Sequence, residues 1–291
     1  MTIIQATIYG IVQGLTEFLP VSSTAHLRVV PALLHWQDPG SAFTAVIQLG
    51  TVFAVLIYFW NDLASALKGF LHSIKSGDKT SREAQTGWAV FYATIPISIF
   101  GLALHKFIEG PFRSLYVIGS SLIIMGLVMF FVEKKYDGKR TITEVTIKDG
   151  IKVGLWQCLS LIPGMSRSGS SITGAFFSGF DKAAATRLSF LMSVPAITLA
   201  GVFEGVKEIK HIKSDGMLTP TIIATAVSFV VGYACIRWLI GYVTKNGLKP
   251  FVLYRVIAGA IIIGLSLANV IDPTAPPKES KPKTQITSPE P

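Results

Sequence analysis

The apolar residues of this chain come in runs too long and too unbroken to be the inner face of soluble helices. A bilayer core of about 30 Å takes roughly 20 apolar residues of helix. Six stretches reach that length: 42–60, 88–105, 115–132, 188–206, 219–239 and 251–270. Two more, 3–19 and 150–162, are apolar but shorter, and each is ended by proline before a polar, hydroxyl-rich stretch. We read these two as re-entrant helices, because irregular polar backbone is tolerated at membrane depth only where it is buried in protein or lines a cavity. The 3–19 segment lacks the basic leader of a signal peptide and contains Glu17, so it is expected to be retained.

The polar connections give the direction of each span. Lys68, Lys75, Lys79 and Arg82 follow the first span, and Lys134, Lys135, Lys139, Arg140 and Lys148 follow the third. The positive-inside rule puts both connections in the cytoplasm. Lys106 and Arg113 then lie outside, as does the 207–215 connection, and Lys245 and Lys249 return inside. The first re-entrant unit has to dip in from the outer face and the second from the cytoplasmic face. The predicted architecture is therefore an all-α integral membrane protein of six transmembrane helices plus two re-entrant helical hairpins in an inverted-topology repeat. It forms one membrane domain over 1–271, with half-repeats of about 1–132 and 150–271 joined by the basic loop 133–149. The Pro- and Lys-rich 272–291 reads as a disordered tail. Trp60, Trp88 and Trp238, at span ends, read as interfacial anchors.

Composition agrees with that class. Half of the residues are hydrophobic and 15% are charged, with a mean hydropathy of +0.53, which excludes an ordinary soluble domain. The net charge of +9 would suit nucleic acid, but the Lys and Arg residues lie mainly between the spans, so no nucleic-acid partner is expected. Cys158 and Cys235 fall inside apolar segments and read as small core residues.

The candidate chemistry sits in two stretches built to one plan. Gly10-Ile-Val-Gln13-Gly-Leu-Thr-Glu17-Phe-Leu-Pro20-Val-Ser22-Ser23-Thr-Ala-His26 is matched by Gly154-Leu-Trp-Gln157-Cys-Leu-Ser-Leu-Ile-Pro163-Gly164-Met-Ser166-Arg167-Ser168-Gly-Ser170-Ser171. An ionisable group near the bilayer centre costs about 2.5–3.5 kcal/mol, so Glu17, His26, Arg167 and Arg255 together imply a cavity. Gln13 and Glu17, four apart, project from one helix face and offer two oxygens to a hard divalent cation; equally, Glu17 is an acid at a helix end that reaches the interface. Ser22, Ser23 and His26 are either turn and cap residues or a nucleophile with its activating partner. Ser166, Arg167, Ser168 and Ser171 combine hydroxyls and a guanidinium at a helix start, which suits a phosphate, or Arg167 snorkels to a lipid headgroup. Arg255 is an interfacial anchor or a second phosphate contact. No Walker A loop is present.

These residues resemble the bacterial undecaprenyl-diphosphate phosphatase family, also called the bacitracin-resistance protein family. Gln13 to His26 is similar to its Glu/Gln-x-x-x-Glu element and the serine-histidine stretch that follows, and Pro163 to Gly169 to its Pro-Gly-x-Ser-Arg-Ser element; the likeness runs to about Val270. The resemblance implies an inner-membrane phosphatase that removes the terminal phosphate of undecaprenyl diphosphate for peptidoglycan synthesis, with a site open to the outer face. It also implies a divalent cation, Mg²⁺ or Ca²⁺, bacitracin tolerance, and homodimers. On this basis Glu17, Ser23, His26 and Arg167 are expected to be catalytic, with Ser23 the preferred nucleophile and His26 its proton partner; attack by His26 or by a metal-bound water stays open. Gln13, Ser22, Ser166, Ser168, Ser171 and Arg255 are expected to bind substrate, and Gln13 and Glu17 to hold the metal. Two positions depart from the family's habit, Gln13 where Glu is common and Ser171 where Thr is common. A secondary transporter or lipid flippase on the same inverted repeat is the rival reading.

Overall fold

Residues 1–136, 138–214 and 216–274 are described by a computed structural model, without the side chains of 41, 42, 109 and 208–214. The predicted tail therefore lies outside the described residues, apart from 272–274. The described residues are all helical, with no strand. The helices are α1 (Ile3–Thr16), α2 (Ser23–Leu33), α3 (Gly40–Tyr58), α4 (Trp60–Ser76), α5 (Arg82–Ala103), α6 (His105–Glu109), α7 (Leu115–Lys135), α8 (Ile147–Cys158), α9 (Arg167–Phe177), α10 (Lys182–Ser214), α11 (Leu218–Asn246) and α12 (Lys249–Leu267).

Five of these, over 82–103, 115–135, 182–207, 218–246 and 249–267, are long and apolar enough to cross a bilayer, and α3 with α4 makes a sixth if that bent pair is one span. Large apolar side chains stand bare on them, Phe131 and Leu253 at 63% exposure and Val230 at 64%. Such surface suits lipid and would be a liability in water. The chain is a multi-pass membrane protein.

The first connection differs from expectation. The segment after the first span is not a plain basic loop, because α4 turns off α3 by 82°. It is amphipathic, with Ala66 and Ser73 buried and Leu67, Leu71 and Ile74 exposed. Trp88 of α5 holds it by donating to the Ser73 hydroxyl at 2.8 Å. A short basic amphipathic helix of this kind can lie along the membrane interface; its period escapes a search tuned to long apolar runs.

The two short apolar segments do become the first arms of helix–turn–helix hairpins, α1/α2 and α8/α9. Their starts are alike: Thr2 caps α1 in a capping box with Gln5, and Thr146 caps α8 in one with Asp149. Their packing is alike as well. A Cβ on Gly10 would meet the Ala224 carbonyl oxygen of α11 at 2.6 Å, and one on Gly154 would meet the Ala93 Cα of α5 at 2.6 Å. Backbones approach this closely only over small residues. Thus α1 lies on α11 and α8 on α5, α3 lies on α11 and α10 on α5, while α7 packs with α12 and α3 with α10. Exchanging the halves of the chain returns the same pairs. The hairpin turns end up face to face inside the bundle.

Candidate active site

Both turns adopt the same unusual backbone. Ser22 caps α2 at φ 76°, ψ 100°, and Ser166 caps α9 at φ 71°, ψ 123°. Positive φ at a residue with a Cβ costs of order 1–3 kcal/mol and persists only where surroundings impose it, commonly at a functional site. The side chains repeat too. Ser22 Oγ accepts from the Ala25 N–H at 3.4 Å and lies 3.1 Å from Thr24 Oγ1. Ser166 Oγ accepts from the Gly169 N–H at 3.1 Å and lies 3.2 Å from Ser168 Oγ. Two helix N-termini, α2 and α9, are thereby brought to one place, and their free N–H groups favour an anion.

Glu17 is the hub between them. One carboxylate oxygen accepts from Ser23 Oγ at 2.7 Å and Gln13 Nε2 at 2.9 Å. The other accepts from Arg167 Nη2 at 3.2 Å and Nε at 3.3 Å. So the first turn supplies a carboxylate and a hydroxyl, and the second a guanidinium, in one buried cluster. Two of its polar atoms, Arg167 Nη1 and Gln13 Oε1, have no partner among the described residues. Buried groups of this kind ask for a ligand or water, since leaving one unpaired costs about 1–3 kcal/mol.

His26 sits beside the cluster but does not bond to Ser23, its expected partner. Its Nδ1 lies 2.7 Å from the Ser22 carbonyl and its Nε2 lies 2.6 Å from the Tyr254 hydroxyl. A carbonyl only accepts, so Nδ1 carries the proton, and in the neutral ring Nε2 accepts from Tyr254. The two rings also stack, 5.7 Å apart and 11° from parallel. Tyr254 was not among the predicted site residues; its one sequence signal is adjacency to Arg255.

Arg255, expected at the phosphate, instead braces the backbone. It is fully buried. Its Nη1 donates to the Pro20 carbonyl at 3.0 Å, its Nη2 to those of Gly164 at 2.7 Å and Met165 at 3.1 Å, and its Nε to that of Leu122 at 3.3 Å. One side chain thus joins both turns and α7. Ser168 adds a second tie by donating to the Leu19 carbonyl at 3.1 Å. Ser171 points the other way: its hydroxyl donates to the Arg167 carbonyl at 2.7 Å and lies 2.6 Å from Ser189 Oγ of α10.

For the expected cation, the described residues hold no group of three or more His, Cys, Asp or Glu. What they offer is the Glu17 carboxylate and the unpaired Gln13 Oε1. Those two fit a hard dication of the Mg²⁺ type, which keeps waters and takes most of its oxygens from a phosphate substrate.

Fold and site together define a polytopic membrane protein with a buried polar cluster framed by two matched turns. Residues 6–261 match the family described as bacitracin resistance protein BacA. The chain is 45% identical over 274 residues to an undecaprenyl-diphosphatase of Myxococcus xanthus, covering 94% of this chain and 92% of that one. Over 269 residues it is 46% identical to one of Nocardioides sp., covering 92% and 98%. A relative of that name in Chloroherpeton thalassium is 44% identical over 277 residues, covering 91% and 97%. The chain belongs to the bacitracin resistance protein family.

Proposed function

We propose that the protein is an undecaprenyl-diphosphate phosphatase, returning the carrier lipid as its monophosphate for peptidoglycan synthesis and so conferring bacitracin tolerance. The observation that carries this reading is Glu17 bonded at once to Ser23, from its own turn, and to Arg167, from the other. The geometry suits phosphoryl transfer, which depends mostly on positioning and on stabilising charge. Nothing in the relatives' names favours transport.

The diphosphate enters between the turns, its terminal phosphate at the N-termini of α2 and α9 and at Arg167 Nη1. Glu17 takes the Ser23 proton while Ser23 Oγ attacks the terminal phosphorus. The bond from that phosphorus to the bridging oxygen breaks, and undecaprenyl monophosphate leaves with the electron pair. Water then hydrolyses the phosphoserine, releasing phosphate and restoring Ser23. His26, positioned by Ser22 and Tyr254, hands protons to and from the departing oxygens. Arg255, Ser168 and Ser171 hold the turns. Gln13 and Glu17 would hold a divalent cation, Mg²⁺ or Ca²⁺, which supplies charge neutralisation on the phosphate oxygens. Direct attack by water is the second route, favoured by the same carboxylate.

The finer architecture belongs to this reading: six spans with two re-entrant hairpins in an inverted repeat, within the bacterial inner membrane, and association as a homodimer. The basic ends put the Lys135 end of α7 in the cytoplasm. Arg255 binds Leu122, seven residues from the opposite end of α7, Leu115, or roughly 10 Å by helical rise. That depth favours a pocket open to the outer face. The test is acid quench of purified protein mixed with ³²P-labelled undecaprenyl diphosphate. Label on Ser23 supports the covalent route, and label on His26 or none redirects it to the alternatives.

A further inference from the structure

At the opposite, basic end of the bundle, α7, α9, α10 and α12 enclose a cavity of about 520 Å³ that the phosphatase chemistry does not use. Lys134, Lys182 and Lys249 face it, with Glu133 at its wall. Phe130, Tyr136, Phe176 and Phe180 line the remainder. Glu133, which accepts from the Leu248 N–H, and Leu122, which accepts from Arg255, both lie on α7; the eleven residues from 122 to 133 set the cavity roughly 16 Å from the turns.

The walls are fixed. Arg140 N–H donates to the Gly179 carbonyl at 3.0 Å and Asp181 N–H to the Arg140 carbonyl at 2.8 Å, and the Arg140 guanidinium lies 4.3 Å over the Phe180 ring. On the other side Leu248 N–H donates to Glu133 Oε1 at 3.0 Å. Glu133 Oε2 is buried and has no hydrogen-bond partner among the described residues. Lys182 is paired with Glu133 Oε1 at 3.9 Å, so the lining offers the ammonium groups of Lys134 and Lys249 beside that pair and one carboxylate oxygen, Glu133 Oε2, that needs a donor. A ligand satisfying both carries a phosphate and a hydroxyl.

The surface below the mouth says what else it carries. From Lys134 a stripe on α7 continues through Phe131 (63% exposed) and Leu127 (44%), and from Lys249 one on α12 continues through Leu253 (63%) and Ile257 (50%). Three- and four-residue spacing keeps each stripe on one helix face. Acyl chains would lie along these two apolar tracks with their headgroup among the lysines. We propose that this cavity is a binding site for an anionic glycerophospholipid with a hydroxylated headgroup, of the phosphatidylglycerol type, in the cytoplasmic leaflet. Basic pockets between spans on that side suit phosphate headgroups.

The experiment is native mass spectrometry of the full-length protein, delipidated in detergent and titrated with phosphatidylglycerol, phosphatidylmethanol, phosphatidylcholine or inorganic phosphate. Phosphatidylglycerol is expected to bind about tenfold or more tightly over phosphatidylcholine, and the Lys134→Ala/Lys249→Ala variant to lose about tenfold while phosphate release stays within about twofold. Phosphatidylmethanol keeps the charge and lacks the hydroxyls, so Glu133→Gln is expected to narrow the gap between it and phosphatidylglycerol. Equal binding of phosphatidylglycerol by wild type and the lysine variant overturns the site. Displacement of the lipid by millimolar inorganic phosphate overturns the lipid as occupant. Loss of phosphatase activity by mutation at the turns leaves these binding ratios where they were, so the two readings fail separately.

Discussion

The two turns, 17–26 and 161–170, share a backbone and divide the chemistry. Ser22 and Ser166 stand at the same left-handed dihedrals, cap the helix that follows through the same bond, and each have a hydroxyl neighbour two residues on. In that shared frame Ser23 occupies the place of Arg167, His26 that of Ser170, and Glu17 that of Leu161. The lesson is that one turn geometry can carry two different sets of side chains, a carboxylate and a hydroxyl on the first turn and a fixed positive charge on the second. Neither turn holds both sets alone.

The largest effects come from removing what only one turn has. Glu17→Ala and Ser23→Ala are expected to lower kcat for phosphate release by about 10³-fold, within the range for a general base and its nucleophile. Arg167→Ala is expected to lower it by about 10²–10³-fold. Ser23→Ala should keep a Tm near wild type in detergent, while Glu17→Ala and Arg167→Ala each strand a buried charge and should lower it. Should Arg167→Ala retain more than half of the activity, the division of labour is wrong.

Next come the parts that both turns use. Arg255→Met leaves four backbone carbonyls without their donor, at about 1–3 kcal/mol for each buried group left unsatisfied. Thermal melting should fall together with activity, whereas Ser23→Ala separates the two. Gly154→Ala pushes a methyl into Ala93 and is expected to destabilise by about 1–3 kcal/mol; Gly10→Ala should cost about as much, because its contact with Ala224 is the counterpart, and melting curves of both would show whether the hairpins are equally seated. The smallest effect is Tyr254→Phe. It removes one hydrogen bond to His26, worth about 1 kcal/mol, so kcat should drop about fivefold, while a change below twofold would take Tyr254 out of the site.

Much of this was legible in the chain. The long apolar runs marked five helices long enough to cross a bilayer, because lipid imposes a length, and the two proline-ended segments stood out because Glu17 and Arg167 are costly in hydrocarbon unless they line a cavity or pair. That cost implies a shared cavity; the bond between Glu17 and Arg167 is what the structure adds. What was not legible depends on side-chain direction. Arg255 reads as another phosphate ligand, since a sequence shows a buried cation without showing that carbonyls of Pro20, Gly164, Met165 and Leu122 surround it. Ser23 reads as the partner of His26 by proximity, yet the helix after Ser22 turns the imidazole back to the Ser22 carbonyl and out to Tyr254, leaving Ser23 to Glu17. Ser171 carries a hydroxyl like its neighbours, and the helical turn points it at Ser189. α4 was missed because its apolar face is too short and too interrupted by Lys68 and Lys75 to register as a span.

The claim on which the rest stands is that the halves act as one site through Glu17 and Arg167, and a double-mutant cycle on kcat/KM measures it most directly. Glu17→Gln, Arg167→Ala and the double variant would be assayed for phosphate release from undecaprenyl diphosphate at one pH and salt. Partners in one catalytic unit are expected to give a double variant little worse than the poorer single one. Losses that multiply, each substitution costing the same factor whether or not the other is present, would mean that the two turns work independently.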